Sequence, residues 1–501
     1  MKLSPTQEKI INKKGNLVVQ ASAGTGKTFT LVQKLKKEIE ENKTHRIIAA
    51  ITFTIKAAHE IKNRVSIDVE EHFIGTNNSF VVEEVIKPFM KDVFREGSIT
   101  DDLDTDYSIK VKNFNEGIEK IKIEKTICSY VNSKQNFVFE LANYIVRNSE
   151  VCRLYLKSKY FKIYIDEYQD CDKEMHDFFM YLCDELEIET FIVGDKKQSI
   201  YIWRGAYPQA FESIKNKNNF SSEFMGDNFR SCYQIQNYSN LLCEETRNLY
   251  QPIDESDNII LLVCTNTNWH ERVIPFLKKD GTSALLRFKN EKAEQGAKHL
   301  EEYGHNFTYI KTSPVSKIAT NASWFYLGIA KYVILKHYSE YDFLSEIPAE
   351  NSEKNKKIIK RLRNDLIKIK DNKSDNFFLN ETVVDLANYL NCNVKMKHIK
   401  DLYNTINEES YYPSFEIEKY SHIATTFHSS KGLEFDQVLL FAEDYPLYNE
   451  DSIYNHYVAS TRAKHELIII YMEETSKSYY NNLSNIFSMK GLSLENLMKV
   501  T

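Results

Sequence analysis

The chain has 501 residues, 42% of them hydrophobic and 27% charged, and 65 Lys and Arg against 71 Asp and Glu give a formal net charge of −6. That composition belongs to a globular chain with ample core-forming material, about three domains long at ~150 residues each, and excludes collagen-like or low-complexity chains. A binder with a basic surface all round is excluded as well, whereas a local groove for nucleic acid is not.

Mean hydropathy is −0.47. No apolar run approaches the ~20 residues a membrane helix needs, and the polar start MKLSPTQEKI carries no secretory pattern. No membrane partner and a cytoplasmic location are therefore the expectation. The cysteines at 128, 152, 171, 183, 232, 243, 264 and 392 form no Cys-x-x-Cys pair, which argues against a zinc site or a disulfide framework. Fifteen glycines and 9 prolines are few for this length and favour helix-rich packing.

In chain order, Asn16–Gln20 reads as a short buried strand, followed by a turn of small residues and a helix carrying Leu31, Leu35 and Ile39 on one face. Ile47–Thr54 reads as a second strand and Ile55–Val65 as a second helix. About 90 mostly helical, charge-rich residues follow. Strand pattern resumes at Phe161–Ile165 and Thr190–Val193, separated by a helical face of Met175, Phe178, Phe179, Leu182 and Leu186. Strand alternating with helix predicts an α/β fold, a parallel sheet covered on both faces. A second α/β stretch begins near Glu223 and includes a strand at Ala284–Phe288 with a helix after it. A helical, Lys/Asn/Tyr-rich segment over 313–417 interrupts it, and strands return at His422–Phe427, Gln437–Phe441 and Glu466–Met472.

The sharpest local signal is Ala21-Ser22-Ala23-Gly24-Thr25-Gly26-Lys27-Thr28, between the first strand and the first long helix. A Walker A loop requires that setting. Small residues let backbone N–H groups curl around phosphate oxygens, and the helix N-terminus adds its positive end. Lys27 would then reach the β- and γ-phosphates and the Thr28 hydroxyl would ligate Mg²⁺. A magnesium site also needs a second strand, and Tyr164–Asp170 closes the strand at Phe161–Ile165 with two adjacent acids. Asp166 can hold Mg²⁺ and Glu167 can polarise the attacking water. ATP and Mg²⁺ are the cofactors that follow.

Six further segments occur in the order seen in superfamily 1 DNA helicases of the UvrD/Rep/PcrA type. Gln7 resembles that family's adenine-reading glutamine, and Thr52-Phe53-Thr54 with Ala57-Ala58 looks like motif Ia. Gly194–Ala206 (GDKKQSIYIWRGA) is similar to motif III and Asn228–Ser231 (NFRS) to motif IV. Thr426–Phe435 (TFHSSKGLEF) resembles motif V and Tyr457–Ala463 (YVASTRA) motif VI. The resemblance implies two RecA-like P-loop NTPase cores, each interrupted by a short, mostly helical insertion. In segments these are 1–72 and 158–222 for the first core, with insertion 73–157, then 223–312 and 418–501 for the second, with insertion 313–417.

The resemblance also assigns roles. Arg230 and Arg462 would be arginine fingers on the γ-phosphate, and Gln198 would sense that phosphate. Glu434 would contact the ribose, and Phe229 would stack on adenine where relatives usually carry tyrosine. Phe53, Tyr201 and Trp203 match base-stacking positions, with Thr52, Thr76, Arg204, Thr426 and His428 as further DNA contacts. The Tyr-x-Trp-Arg run is expected to point alternating side chains, Tyr201 and Trp203, to one side. Relatives commonly carry Thr-x-His-Ser where this chain has Thr76-Asn77-Asn78-Ser79, so Asn78 stands in for the histidine. The insertions are short for the family, so ATP hydrolysis is expected ahead of processive unwinding.

Segments outside the motifs are similar to the helicase-like subunits of Gabija anti-phage systems. They are Phe73–Asn77, Ile86–Asp92, Ser158–Ile163 and Met175–Leu182. That likeness implies a partner, an ATP-gated nuclease with a Toprim domain, in a hetero-oligomer triggered by phage DNA or its free ends. Two readings stand: a DNA-stimulated ATPase translocating 3′→5′ on single strands, and a nucleotide-hydrolysing sensor or scaffold for DNA ends that unwinds little. A self-contained helicase–nuclease would need a nuclease module after motif VI, and the stretch after Ala463 is too short for one.

Overall fold

The computed structural model describes residues 3–67, 69, 71–94, 103–252, 257–348 and 356–501. Contacts divide the chain into two compact units. One holds Met1–Leu103, Lys110–Leu277 and Phe427–Thr501, the other Asp104–Ile109 and Lys278–Thr426.

The first unit is built on a parallel sheet of six strands: β1 (Leu17–Ala21), β2 (Ile47–Thr52), β3 (Phe73–Thr76), β4 (Tyr160–Ile165), β5 (Glu189–Gly194) and β6 (Ser221–Met225). Their spatial order is β3-β2-β4-β5-β1-β6. β1 lies inside the sheet, and every residue of LVVQA is buried, which is why it reads as a continuous apolar run rather than an alternation. Helices α1 (Pro5–Asn12), α2 (Lys27–Glu41), α3 (Ile55–Val65) and α4 (Lys173–Asp184) accompany these strands. Their starts are written in the sequence: Ser4 and Gln7 form a capping box on α1 with Pro5 at its first position, Thr54 caps α3, and Asp172 caps α4. Leu31 and Leu35 of α2 and Ile61 and Val65 of α3 meet β1 and β2 in one core.

A second parallel set in this unit comprises β7 (Ile259–Cys264), β8 (Phe435–Phe441), β9 (Ala463–Met472) and β10 (Lys499–Val500), ordered β8-β9-β7-β10. Helix α5 (Glu450–Ser460) precedes β9. The two parallel sheets flanked by helices bear out the α/β expectation.

The second unit contains parallel strands at Ser283–Arg287, Thr308–Tyr309 and His422–Thr426. Its helices, Ser323–Ile334, Glu340–Glu346, Lys356–Asp371, Asn376–Tyr389 and Met396–Asn407, fill the stretch read as helical. They close on a core that includes Phe325, Leu362, Leu366, Val383, Ile399 and Leu402. Asp106 joins this unit through an ion pair with Lys395, and Tyr107 N donates to Ala319 O at 3.1 Å.

Several elements depart from what the sequence pattern predicts. The stretch after Val65 is not wholly helical: β3 pairs with β2 from Ala49↔Phe73 to Thr52↔Thr76, and strands also occur at Asp104–Val111 and Thr126–Tyr130. Four residues including a glycine are too few to show a period. Ser221–Met225 does not open the second α/β stretch but adds to the first sheet, parallel to β1. Its alternating exposure suits an edge strand, where Lys9 and Lys13 pair with Glu223 at 2.8 and 2.6 Å. β7 has no counterpart among the predicted strands, because a short, almost wholly buried apolar run has no period to separate strand from helix. Residues 95–102 and 349–355, inside the two expected insertions, lie outside the described residues.

A buried ionic cluster ties α2 to the sheet and to α1. Glu38 takes Lys34 and Lys162 at 2.9 Å each and the Tyr164 hydroxyl, and all four residues are at most 5% exposed. Lys34 also donates to Ile11 O at the end of α1. Burial alone would raise the Glu38 carboxyl, but Lys162 and Lys34 outweigh it and hold it below the usual range. Removing one partner of such a cluster leaves uncompensated buried charge, at a cost of ~3–5 kcal/mol. Glu38→Ala should therefore lower unfolding stability by about that amount in urea titration, and a loss under ~1 kcal/mol would contradict the cluster's role.

Candidate nucleotide site

The Walker A loop runs from the end of β1 into α2, and Gly24 and Gly26 both take φ +77°. An L side chain is strained there, so glycine is needed at both positions. Gly26 is the N-cap of α2 and supplies no side-chain hydrogen bond to it. The first-turn amides are therefore left for an anion, which the helix N-terminus favours. The loop is braced from within by Thr25 Oγ1 donating to Ser22 O at 2.8 Å. Phe229 N donates to Gly24 O at 2.9 Å. Gln7 comes against the loop by way of α1, its Nε2 donating to Thr25 O at 3.3 Å while its Oε1 accepts Ser4 N at 3.0 Å. An amide of this kind keeps a second N–H and a second lone pair for a further partner.

The acids stand at the carboxyl end of β4. Asp166 N bonds Ile51 O at 3.0 Å and its carboxylate accepts Glu167 N at 2.8 Å. Glu167 turns the chain with φ +52°, a left-handed conformation uncommon for a non-glycine residue. Burial, with the Glu167 charge beside it, pushes the Asp166 carboxyl up to about 7. Burial acts the same way on Glu167, but Lys27 and Lys431 outweigh it and hold that carboxyl below its usual value. Lys431 pairs with Asp170 and lies 3.7 Å from Glu167. Burial would depress its ammonium, yet Asp170 and Glu167 keep it above the ordinary lysine range.

The guanidiniums arrive from two other segments. Arg230 pairs with Glu434 at 2.9 Å and donates to Thr461 O at 3.3 Å, and its Nε is buried without an acceptor among the described residues. Arg462, 2% exposed, donates to Val458 O at 2.9 Å, Leu433 O at 3.4 Å and Thr461 Oγ1 at 3.2 Å, all neutral oxygens. Burial and the like charge of Arg230 draw it down to about 9.

All of this opens on one cavity of about 810 Å³, within the range of small-molecule sites. Its walls include Gln7, Ser22–Thr28, Thr52, Phe53, Asp166, Glu167, Gln198, Tyr201, Arg204, Phe229, Arg230, His428, Glu434 and Arg462. The expected nucleotide residues other than Ala21 thus converge, and five of the expected DNA contacts, Thr52, Phe53, Tyr201, Arg204 and His428, line the same cavity. Burial, then Arg204 and Lys431, pull His428 down to about 4 and keep it neutral. Other sequence-predicted residues stand apart from the walls. Ala21 is the last residue of β1 and packs in the core. Thr76 caps the short helix Asn77–Val81. Trp203 is 55% exposed, with the Arg204 guanidinium 4.5 Å from its ring centroid. Ile202–Arg204 is a 3-10 turn rather than a strand, so the alternation expected of that run is absent. Thr426 ends a strand of the second unit and is buried there.

Residues absent from the expected site are as central as those in it. Lys431, Asp170 and the buried Asp195, Lys197 and Tyr457 all lie within or beside segments resembling helicase motifs. The motif spelling is visible in the sequence, but no local pattern announces which distant group each one meets.

Residues 3–139 and 101–219 match the UvrD/REP helicase N-terminal domain, and residues 422–470 the UvrD-like helicase C-terminal domain. The Gabija protein GajB of Bacillus cereus (strain VD045) is 38% identical over 99% of this chain and 99% of that protein. The ATP-dependent DNA helicase Rep of Buchnera aphidicola subsp. Schizaphis graminum is 23% identical, covering 62% of this chain and 55% of Rep. PcrA of Staphylococcus aureus (strain Mu50) is 27% identical over 46% of this chain and 38% of PcrA. The chain belongs to the UvrD-type helicase family. Within that family it is related to GajB.

A methyl group on Gly24 would meet Asn228 Oδ1 at 2.3 Å and Arg230 Cβ at 2.9 Å. Gly24→Ala should therefore weaken fluorescent ATP-analogue binding at least ~10-fold, combining left-handed strain of ~1–2 kcal/mol with the clash. Unchanged affinity would contradict the close approach of these segments.

Proposed function

We propose that the chain is a DNA-dependent ATPase of the UvrD type, coupling ATP hydrolysis to movement on, or sensing of, single-stranded DNA or DNA ends. The observation that carries this reading is the meeting of the Walker A loop, the Asp166–Glu167 pair and two guanidiniums on one cavity. Lys27 neutralises the β- and γ-phosphates. Thr28 and Asp166 hold Mg²⁺, which when bound supplies charge neutralisation on the phosphate oxygens. Glu167, kept ionised by Lys27 and Lys431, orients the attacking water and accepts its proton. Arg230 and Arg462 stabilise charge on the transferring phosphoryl oxygens, and Gln198 reports the γ-phosphate's presence.

Around that centre, Gln7 and Phe229 take adenine and Glu434 the ribose, which requires Glu434 to share or release Arg230. Phe53 and Tyr201 on the cavity wall and the exposed Trp203 stack on bases, each worth ~1–3 kcal/mol without sequence preference. Thr52, Arg204 and His428 on the same cavity supply polar contacts along the strand, with Thr76 beside them in the first unit. We assign residues 1–76 and 158–225 to the first RecA-like core, 226–312 and 418–501 to the second, and 77–157 and 313–417 to the insertions, the first core taking in Phe73–Thr76 and Ser221–Met225 because both pair within its sheet. Polarity is 3′→5′, as the motif set suggests.

The relatedness to a Gabija protein supports a place in anti-phage defence beside a Toprim-type nuclease in a cytoplasmic hetero-oligomer. Short insertions favour a second reading, a DNA-end sensor with little unwinding. Displacement of a 3′-tailed duplex, with and without the nuclease partner, separates the two.

Phosphate release by the purified chain, with and without single-stranded DNA, tests the proposal. The wild type should be stimulated by DNA. Glu167→Gln should bind nucleotide within ~3-fold of wild type and lose turnover by ~10²–10⁴. Wild-type turnover in that variant would reassign the base.

A further inference from the structure

The hydroxyl of Tyr457 sits inside the first unit, against the Walker A loop, and bridges two groups with separate duties. It accepts Ala23 N–H at 3.1 Å and donates to Asp195 Oδ2 at 3.3 Å. The same Oδ2 accepts Gln198 Nε2 at 2.9 Å, while Oδ1 takes Lys197 Nζ at 2.8 Å. Lys197 continues to Ser22 Oγ at 3.1 Å, its ammonium 5.3 Å from the Tyr457 ring centroid. Tyr457, Asp195, Lys197, Gln198 and Ser22 are each at most 5% exposed. A polar network shut away from water to this degree is rigid while every member is satisfied, and its members act together.

Tyr457 lies near the end of α5, and the chain leaving that helix carries Arg462, whose Nε bonds Val458 O at 2.9 Å and whose N bonds Ala459 O at 3.2 Å. One side chain therefore touches the first turn of the phosphate loop and the carboxylate that anchors Gln198, and it stands on the helix whose end leads into Arg462.

We propose that Tyr457 is a positioning residue that holds the Walker A loop, the Gln198 carboxamide and Arg462 in one register. The hydroxyl is the working part: without it the Ala23 N–H and the Asp195 carboxylate each lose a partner, while the ring still fills its place. This rests on the ATPase reading above and adds a route by which the phosphate loop and the γ-phosphate contacts are set together.

The test is a double-mutant cycle on DNA-stimulated ATP hydrolysis by the full chain: wild type, Tyr457→Phe, Gln198→Ala and the double variant. Tyr479→Phe serves as a control, because its buried hydroxyl bonds Tyr238 at 3.0 Å. Tyr457→Phe should lower kcat about 10-fold or more with the KM for ATP within ~3-fold, a split that places the loss in the transition state. The double variant should be within ~2-fold of Gln198→Ala alone, and Tyr479→Phe within ~2-fold of wild type. A Tyr457→Phe kcat near wild type, losses that multiply in the double variant, or an equal loss in Tyr479→Phe would each overturn the proposal. If Tyr457→Phe does not accumulate as folded protein, Tyr457→Leu takes its place in the cycle, where coupling to Gln198→Ala supports the proposal and multiplying losses overturn it. A wild type that releases no phosphate brings down the ATPase reading itself, whereas an active wild type with an uncoupled cycle removes only the role of Tyr457.

Discussion

Arg462 is a buried cation whose hydrogen bonds go to neutral oxygens, and much of the site follows from keeping it there. Burial and the neighbouring Arg230 pull its guanidinium down to about 9, so the side chain carries an electrostatic cost that an incoming polyanion offsets. Arg230 is in a different condition, already paired with Glu434 at 2.9 Å. Facing these cations, the open first turn of α2 and Lys27 provide further positive potential. Under the proposed function a triphosphate would suit such a place, because its charge is spread along its length and donors fixed in advance need little rearrangement when charge moves in the reaction.

The sheet explains how so many groups reach one cavity. β1 ends in the phosphate loop, β2 in Thr52, β4 just before Asp166 and β5 just before Asp195. These strands are parallel, so their carboxyl ends lie on one edge, where α/β folds collect ligands. The Glu38 cluster sits on α2 away from the phosphate loop, binding that helix to α1 and β4. Gly24 and the Tyr457 hydroxyl complete the arrangement at close quarters, the first by having no side chain and the second by satisfying a loop amide.

Local and long-range features are unequally legible in the sequence. The Walker A loop and the Asp166–Glu167 pair can be read because each depends on a short run of residues in a strand–turn setting. Helix Ile55–Val65 is legible to the residue, with Thr54 as its cap and a clear apolar face. Strands Phe73–Thr76 and Ile259–Cys264 are not: the first is too short and the second too uniformly apolar to show a period. Ser221–Met225 resembles the start of a new fold unit because its polar alternation looks the same in any edge strand, whichever sheet it joins. Trp203 escapes the alternation rule because a 3-10 turn breaks it. Tyr457 and Lys431 are spelled out within recognisable motifs, yet what they touch lies 434 and 261 residues away in sequence, at Ala23 and Asp170. No local pattern contains that information.

The most direct measurement of the central claim is a crystal structure of the chain with Mg²⁺ and a non-hydrolysable ATP analogue. The account predicts one γ-phosphate within hydrogen-bonding distance, about 3 Å, of Lys27, Arg230 and Arg462 together, with Glu434 released from Arg230. A nucleotide held by the Walker A loop while Arg462 keeps only its bonds to Val458, Leu433 and Thr461 would contradict it.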